Sequence, residues 1–134
     1  FKRLDTFVNE RHRVAETYDR LLADFPAIAP ARHDKGRTAF HLYVVRLDLA
    51  RLRTTQREVF ERLRSNGIMV NLHYIPVYHH PYYRERGHAT TSLPEAERYY
   101  AEAITLPLYP GLREEQQREV IERMRSPLGF QTLF

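Results

Sequence analysis

The chain has 134 residues, enough for one domain with a buried core, and its formal net charge of +4 rests almost wholly on arginine, since lysine occurs only at positions 2 and 35. Cysteine is absent, which removes disulfides, thiol catalysis and zinc-finger spacings. No apolar run is long enough to span a membrane, and the opening Phe1-Lys2-Arg3-Leu4-Asp5 lacks an apolar signal region, so a cytoplasmic protein with no membrane partner is expected.

Residues 4–25 read as a helix, because Leu4, Phe7, Val8, Ala15, Tyr18, Leu21, Leu22 and Phe25 form an apolar stripe of helical period. No Ser, Thr, Asp or Asn precedes the stripe as a cap, so the chain is expected to be a piece of something longer. Pro26 and Pro30 end the helix, and a polar loop runs to about Thr38. Residues 40–49 are apolar on both alternating sets, as in a strand covered along most of its length. After a turn at residues 51–53, Thr55-Gln56-Arg57-Glu58 fits a capping box that opens a second helix, with Val59, Phe60 and Leu63 inward. Gly67 supplies its left-handed stop. Residues 68–72 read as a second strand. Ser92-Leu93-Pro94-Glu95 is a further capping-box pattern, opening a helix with Ala96, Tyr99, Tyr100 and Ala103 inward. Residues 104–108 form a short strand that Pro107 confines to an edge, because proline cannot donate to the ladder. After the Pro110-Gly111 turn, residues 113–125 make the last helix, with Val120, Ile121 and Met124 apolar, and residues 127–134 look loosely attached. The order predicts an α+β domain: a small antiparallel or mixed sheet of about three strands with helices on one face. The unit from Phe40 to Leu72 allows either a right-handed crossover or an antiparallel pairing.

Function concentrates between the second strand and the third helix. Residues 73–83 hold three His and four Tyr among eleven residues. Such rings offer flat faces and polar tips to a small ligand, and Pro76 and Pro81 stiffen the segment. An aromatic satellite core under a long loop is the plainer reading of the same residues. His79 and His80 are adjacent and diverge in extended chain, so no metal site follows from spacing. Arg84 and Arg86 flank the loop and suit either solvent or an anionic ligand. Glu95 and Glu97 suit the positive end of a helix. The five glycines are scattered, so there is no phosphate loop. The arginines are interspersed with Asp and Glu on helical faces, which disfavours a nucleic-acid partner. Lys2 and Lys35 lie in polar, terminal or loop settings unsuited to a Schiff-base amine. No catalytic residue emerges from the residues themselves.

The ordered set Phe40-His41-Leu42-Tyr43-Val44-Val45-Arg46, Gly67-Ile68, His73-Tyr74-Ile75-Pro76-Val77, Pro81-Tyr82-Tyr83, Leu93-Pro94-x-Ala96-Glu97 and Leu106-Pro107-Leu108-Tyr109-Pro110 resembles the DegT-type sugar-nucleotide aminotransferases, and among them the pseudaminic acid branch. The resemblance covers nearly all of residues 1–134 and corresponds to the C-terminal small domain of that family. It implies the aspartate-aminotransferase fold, homodimers with active sites at the subunit interface, and pyridoxal phosphate bound by a large N-terminal domain absent here. It implies amination of a 4-keto sugar nucleotide with glutamate as donor, to a product of the UDP-4-amino-4,6-dideoxy-N-acetyl-β-L-altrosamine type. By the same resemblance His73, Tyr74, Ile75 and Pro76 line the substrate site, His73 as a polar contact, while catalytic and cofactor-binding residues lie outside the chain. Tyr78 stands where many relatives have His. Two other classes compete: a stand-alone module for a small anionic ligand, and a protein-interaction domain.

Overall fold

The computed structural model describes residues 2–25, 27–28, 38–89 and 91–125. Helix α1 (Leu4–Leu21) begins after Arg3 with no side-chain cap. It buries Val8, Val14, Ala15, Thr17 and Tyr18, so the inward stripe includes two residues, Val14 and Thr17, beyond those expected. Strand β1 (Ala27–Ile28) is only a two-residue rung on β2 (Tyr43–Leu47). The chain then makes a short helix α2 (Leu49–Leu52) where a plain turn was expected, capped by the Asp48 carboxylate.

Helix α3 (Gln56–Ser65) starts as its sequence dictates. Glu58 N–H donates to Thr55 Oγ1 and Thr55 N–H donates to Glu58 Oε2, at 3.2 and 2.8 Å. It ends in a Schellman motif: Ile68 N–H reaches Leu63 O at 2.9 Å and Gly67 N–H reaches Arg64 O at 3.0 Å, with Gly67 at φ 78°. Helix α4 (Pro81–Tyr83) is a single turn, and the connector after it kinks at Gly87. Helix α5 (Pro94–Glu102) corrects the second capping-box reading. Pro94 occupies the first helical position, so Leu93 becomes the cap residue and Ser92 falls one place outside. α5 also buries no residue fully, unlike the expected inward set; Ala103 is buried but belongs to the next strand. Strand β3 (Ala103–Leu106) and helix α6 (Glu114–Arg125) complete the domain.

The sheet is antiparallel in the order β1-β2-β3. Tyr43 faces Leu106 and Val45 faces Ile104 across β2 and β3. The strand expected at residues 68–72 does not form, and neither does a crossover. Of residues 68–72 only Asn71 pairs with the sheet, bridging to Thr105 on the outer side of β3, while Ile68 and Val70 pack into the core. On the side away from β3, Val70 O accepts from the Arg64 guanidinium, Val70 N–H donates to Ile68 O, and Leu72 N–H donates to Asn71 Oδ1. Asn71 and Thr105 exchange both bonds, so the next such pairs would be Met69 with Pro107 and His73 with Ala103. Pro107 has no N–H, and Ala103 gives its N–H to Tyr99 O and takes Gln56 Nε2 on its carbonyl, so pairing stops after one rung.

Tyr43, Val45, Leu47, Ile104 and Leu106 face one core together with Val14, Tyr18 and Leu22 of α1, Val59 and Leu63 of α3, and Val120, Ile121 and Met124 of α6. Buried polar atoms are met: Gln117 Nε2 donates to Val14 O at 2.8 Å, and the Tyr18 hydroxyl donates to Pro107 O at 3.0 Å. Burial holds the Tyr18 phenol well above its ordinary range. The other face of the sheet carries Arg46, paired with Glu102 at 2.6 Å, and the buried hydroxyl of Thr105. By the two-residue alternation of a strand, Thr105 points opposite to Ile104 and Leu106. Among the described residues no helix is long and apolar enough to cross a membrane.

Candidate functional site

Thr105 is the point from which the loop is built. Its N–H donates to Asn71 O at 2.8 Å, and its carbonyl accepts from Asn71 N–H at 3.1 Å. Two residues later His73 places Nδ1 at 2.8 Å from Thr105 Oγ1. The backbone rung and the side-chain bond together fix where the chain leaves the sheet, on the face away from the helical core.

From there residues 73–76 run outward. His73 is half-buried, with its ring edge-on to Tyr74 at 4.6 Å. Tyr74 is 69% exposed, Ile75 is 38% exposed, and Pro76 is half-buried. The peptide between His73 and Tyr74 is cis. A 3-10 turn (Val77–His79) follows, closed by His79 N–H to Pro76 O at 2.9 Å and His80 N–H to Val77 O at 3.1 Å. Tyr82 and Tyr83 stack edge to face, and the Arg86 guanidinium lies 4.2 Å over the Tyr82 ring. Both Arg84 and Arg86 are exposed. The rings of residues 73–83 therefore do not form a satellite core, since none of them is buried.

Glu97 was expected to serve the dipole of α5. Its side chain instead turns to the loop and accepts from the Tyr78 hydroxyl and from His79 Nε2, each at 2.7 Å and on the same oxygen, Oε1. These bonds hold the Glu97 carboxyl below the usual carboxylate range and raise the Tyr78 phenol. Glu95 remains at the helix start, bound to Arg98. Sequence reading quoted Glu97 inside a motif but gave it the wrong partner; it gave Thr105 no role, and a lone Thr in an apolar strand carries no local signal. Among the described residues two open grooves lie elsewhere. One, of about 280 Å³, is lined by Met69, Pro107, Tyr109, Leu112 and neighbours, and the other, of about 230 Å³, by Arg20, Asp24, Arg118 and Arg125 among others; His73, Tyr74, Ile75 and Pro76 line neither.

Chemically, the loop offers an imidazole, a phenol and apolar surface at the domain's edge, groups of the kind that can contact a ligand, with no nucleophile–base pair among residues 73–83. Among the described residues no three His, Asp or Glu stand close enough to hold a metal ion. The one described lysine, Lys2, is exposed near the start of α1, so these residues do not fit a coenzyme bound as a lysine imine.

The elements make a small α+β domain, and its fold is one found within sugar aminotransferase chains. The chain belongs to the DegT/DnrJ/EryC1/StrS aminotransferase family, whose model matches residues 1–125. It is 36% identical over 128 residues to the spore coat polysaccharide biosynthesis protein SpsC of Bacillus subtilis (strain 168), covering 93% of this chain and 33% of that protein. Helicobacter pylori PseC, an aminotransferase involved in the biosynthesis of pseudoaminic acid, superposes with a TM-score of 0.84 at 25% identity, over 95% of this chain and 34% of its own. S. venezuelae DesV, solved in complex with a ketimine intermediate, gives a TM-score of 0.81 at 28% identity, over 96% of this chain and 33% of its own. The chain thus spans about a third of the length of the proteins it matches.

Proposed function

We propose that residues 1–134 are the C-terminal small domain of a pyridoxal phosphate-dependent aminotransferase that aminates a 4-keto sugar nucleotide with glutamate as donor. The product expected is of the UDP-4-amino-4,6-dideoxy-N-acetyl-β-L-altrosamine type. The observation that carries the reading is the placement of His73, Tyr74, Ile75 and Pro76: an anchored imidazole followed by outward ring and apolar surface, in a chain of aminotransferase family. Pyridoxal phosphate is the family's cofactor, and in this reading a part of the protein outside these residues holds it and supplies the electron sink. This domain then shapes one wall of the sugar site, His73 as a polar contact and Tyr74 and Ile75 as surface against which the sugar nucleotide is oriented. Homodimers with the site near the subunit boundary, and a cytoplasmic location, complete the proposal.

The test is made on the protein that carries this chain behind an upstream domain. It should absorb as a lysine imine of pyridoxal phosphate and transfer nitrogen from glutamate to a UDP-linked 4-keto-6-deoxy sugar, and Tyr74→Ala should raise KM more than it lowers kcat. Residues 1–134 alone should show neither imine absorbance nor turnover. An upstream sequence without a coenzyme lysine, or tight saturable sugar-nucleotide binding by residues 1–134 alone, would overturn the proposal.

A further inference from the structure

The loop that this reading makes a substrate wall has an unusual mechanical problem. Of residues 73–83 none is fully buried. Apolar burial, which fixes most segments of a domain, therefore does little to fix this one. Its internal bonds close single turns, at His79, His80, Tyr83 and Arg84, and say nothing about how the segment sits on the sheet. Two side chains outside the segment do. Thr105 meets His73 at one end, and Glu97 meets Tyr78 and His79 at the other. Glu97 lies on α5 and Thr105 on β3, and these two elements are joined without a break.

We infer that Glu97 is a positioning residue: with Thr105 it clamps both ends of residues 73–79 to the joined α5–β3 unit, so that Tyr74, Ile75 and Val77 are displayed outward between two fixed points. A carboxylate suits the task. It only accepts, so one oxygen takes both donors, and a neutral His79 must then carry its proton on Nε2. The bonds to an ionised acceptor are the stronger kind, which matters where little else holds the chain. Tyr78 and His79 are thereby locked side by side, ring centres 4.9 Å apart and tilted by 35°. The inference rests on the loop being the substrate wall for its purpose, though not for its geometry.

Backbone amide exchange of residues 1–134, followed residue by residue by NMR with no ligand present, tests it. Glu97→Ala should speed exchange at His79, His80 and Tyr83 about three- to tenfold. Val45 and Ile104 in the sheet should keep their wild-type rates. Glu97→Gln, which still accepts through its carbonyl, should restore part of the protection, and Tyr78→Phe should have an effect in wild type but none added to Glu97→Ala. Wild-type loop exchange in a folded Glu97→Ala chain would overturn the clamp. Should that variant not fold, unchanged exchange in both Glu97→Gln and Tyr78→Phe would overturn it equally. No nucleotide sugar enters this measurement, so a failed clamp is distinguishable from a failed amination assay, which bears only on the functional reading.

Discussion

Thr105→Val isolates the bond that sets the origin of the loop. The substitution replaces the hydroxyl by a methyl and keeps the β-branched shape that a strand accommodates. The rung to Asn71 is main chain and is untouched, as is the pairing with Val44. What is lost is the 2.8 Å contact between Oγ1 and His73 Nδ1. A net hydrogen bond contributes about 0.5–1.5 kcal/mol, and the upper figure applies when the orphaned partner is cut off from water. His73 is half-buried, so water reaches it in part and about 1 kcal/mol is the expected cost. With a urea dependence of about 1–3 kcal/mol/M, the midpoint of unfolding should fall by roughly 0.5 M. Ile104→Ala, one residue away on the opposite face, should cost about 2–5 kcal/mol, because it empties volume in the core. Thr105→Ser keeps the hydroxyl and should leave the His73 ring resonances near their wild-type positions, whereas Thr105→Val should move them. A Thr105→Val chain with an unshifted midpoint and unmoved His73 resonances would show that the hydroxyl does not fix the loop.

Other outcomes follow from the same geometry. Gly67→Ala places a Cβ in open space but at φ 78°, so it should destabilise by about 1–2 kcal/mol through backbone conformation alone, read as a lower urea midpoint. Glu58, Glu97 and Glu114 are held below the ordinary 4.5 by, respectively, the Thr55 amide with the Thr54 and Thr55 hydroxyls, Tyr78 with His79, and Arg118 with Arg20. Below pH 4.5 the unfolded chain binds protons that the folded chain refuses, so their stabilisation is present above that pH and is lost as pH falls; the Tm of Glu58→Gln should vary less with acid than that of wild type. Tyr18 has the opposite sign. Its buried phenol stays protonated where the unfolded one ionises, so stability should decline as pH rises past 10, and Tyr18→Phe should remove that part of the alkaline decline in Tm.

The sequence by itself determined what is encoded over a few neighbouring residues. Most of the stripe of α1, the reciprocal cap of Thr55 and Glu58, the left-handed stop at Gly67 and the inward face of α6 all depend on spacings of three, four or five positions, and the structure reproduces them, with Leu4 at the start of the stripe exposed instead of inward. Motif order likewise carried the family, because an ordered set of weak matches is specific where each alone is not. Tertiary structure decided the rest. Residues 68–72 have strand composition, yet the facing positions on β3 cannot continue the ladder: Pro107 lacks an N–H, and the backbone groups of Ala103 are bonded to Tyr99 and Gln56. That β2 pairs with β3, and that Thr105 thereby points away from the core, depends on contacts between segments far apart in the chain. The roles of Thr105 and Glu97 exist only because that pairing brings α5 and β3 beneath the loop: a hydrogen bond is short-ranged, and no local pattern tells a side chain which distant donor it will meet.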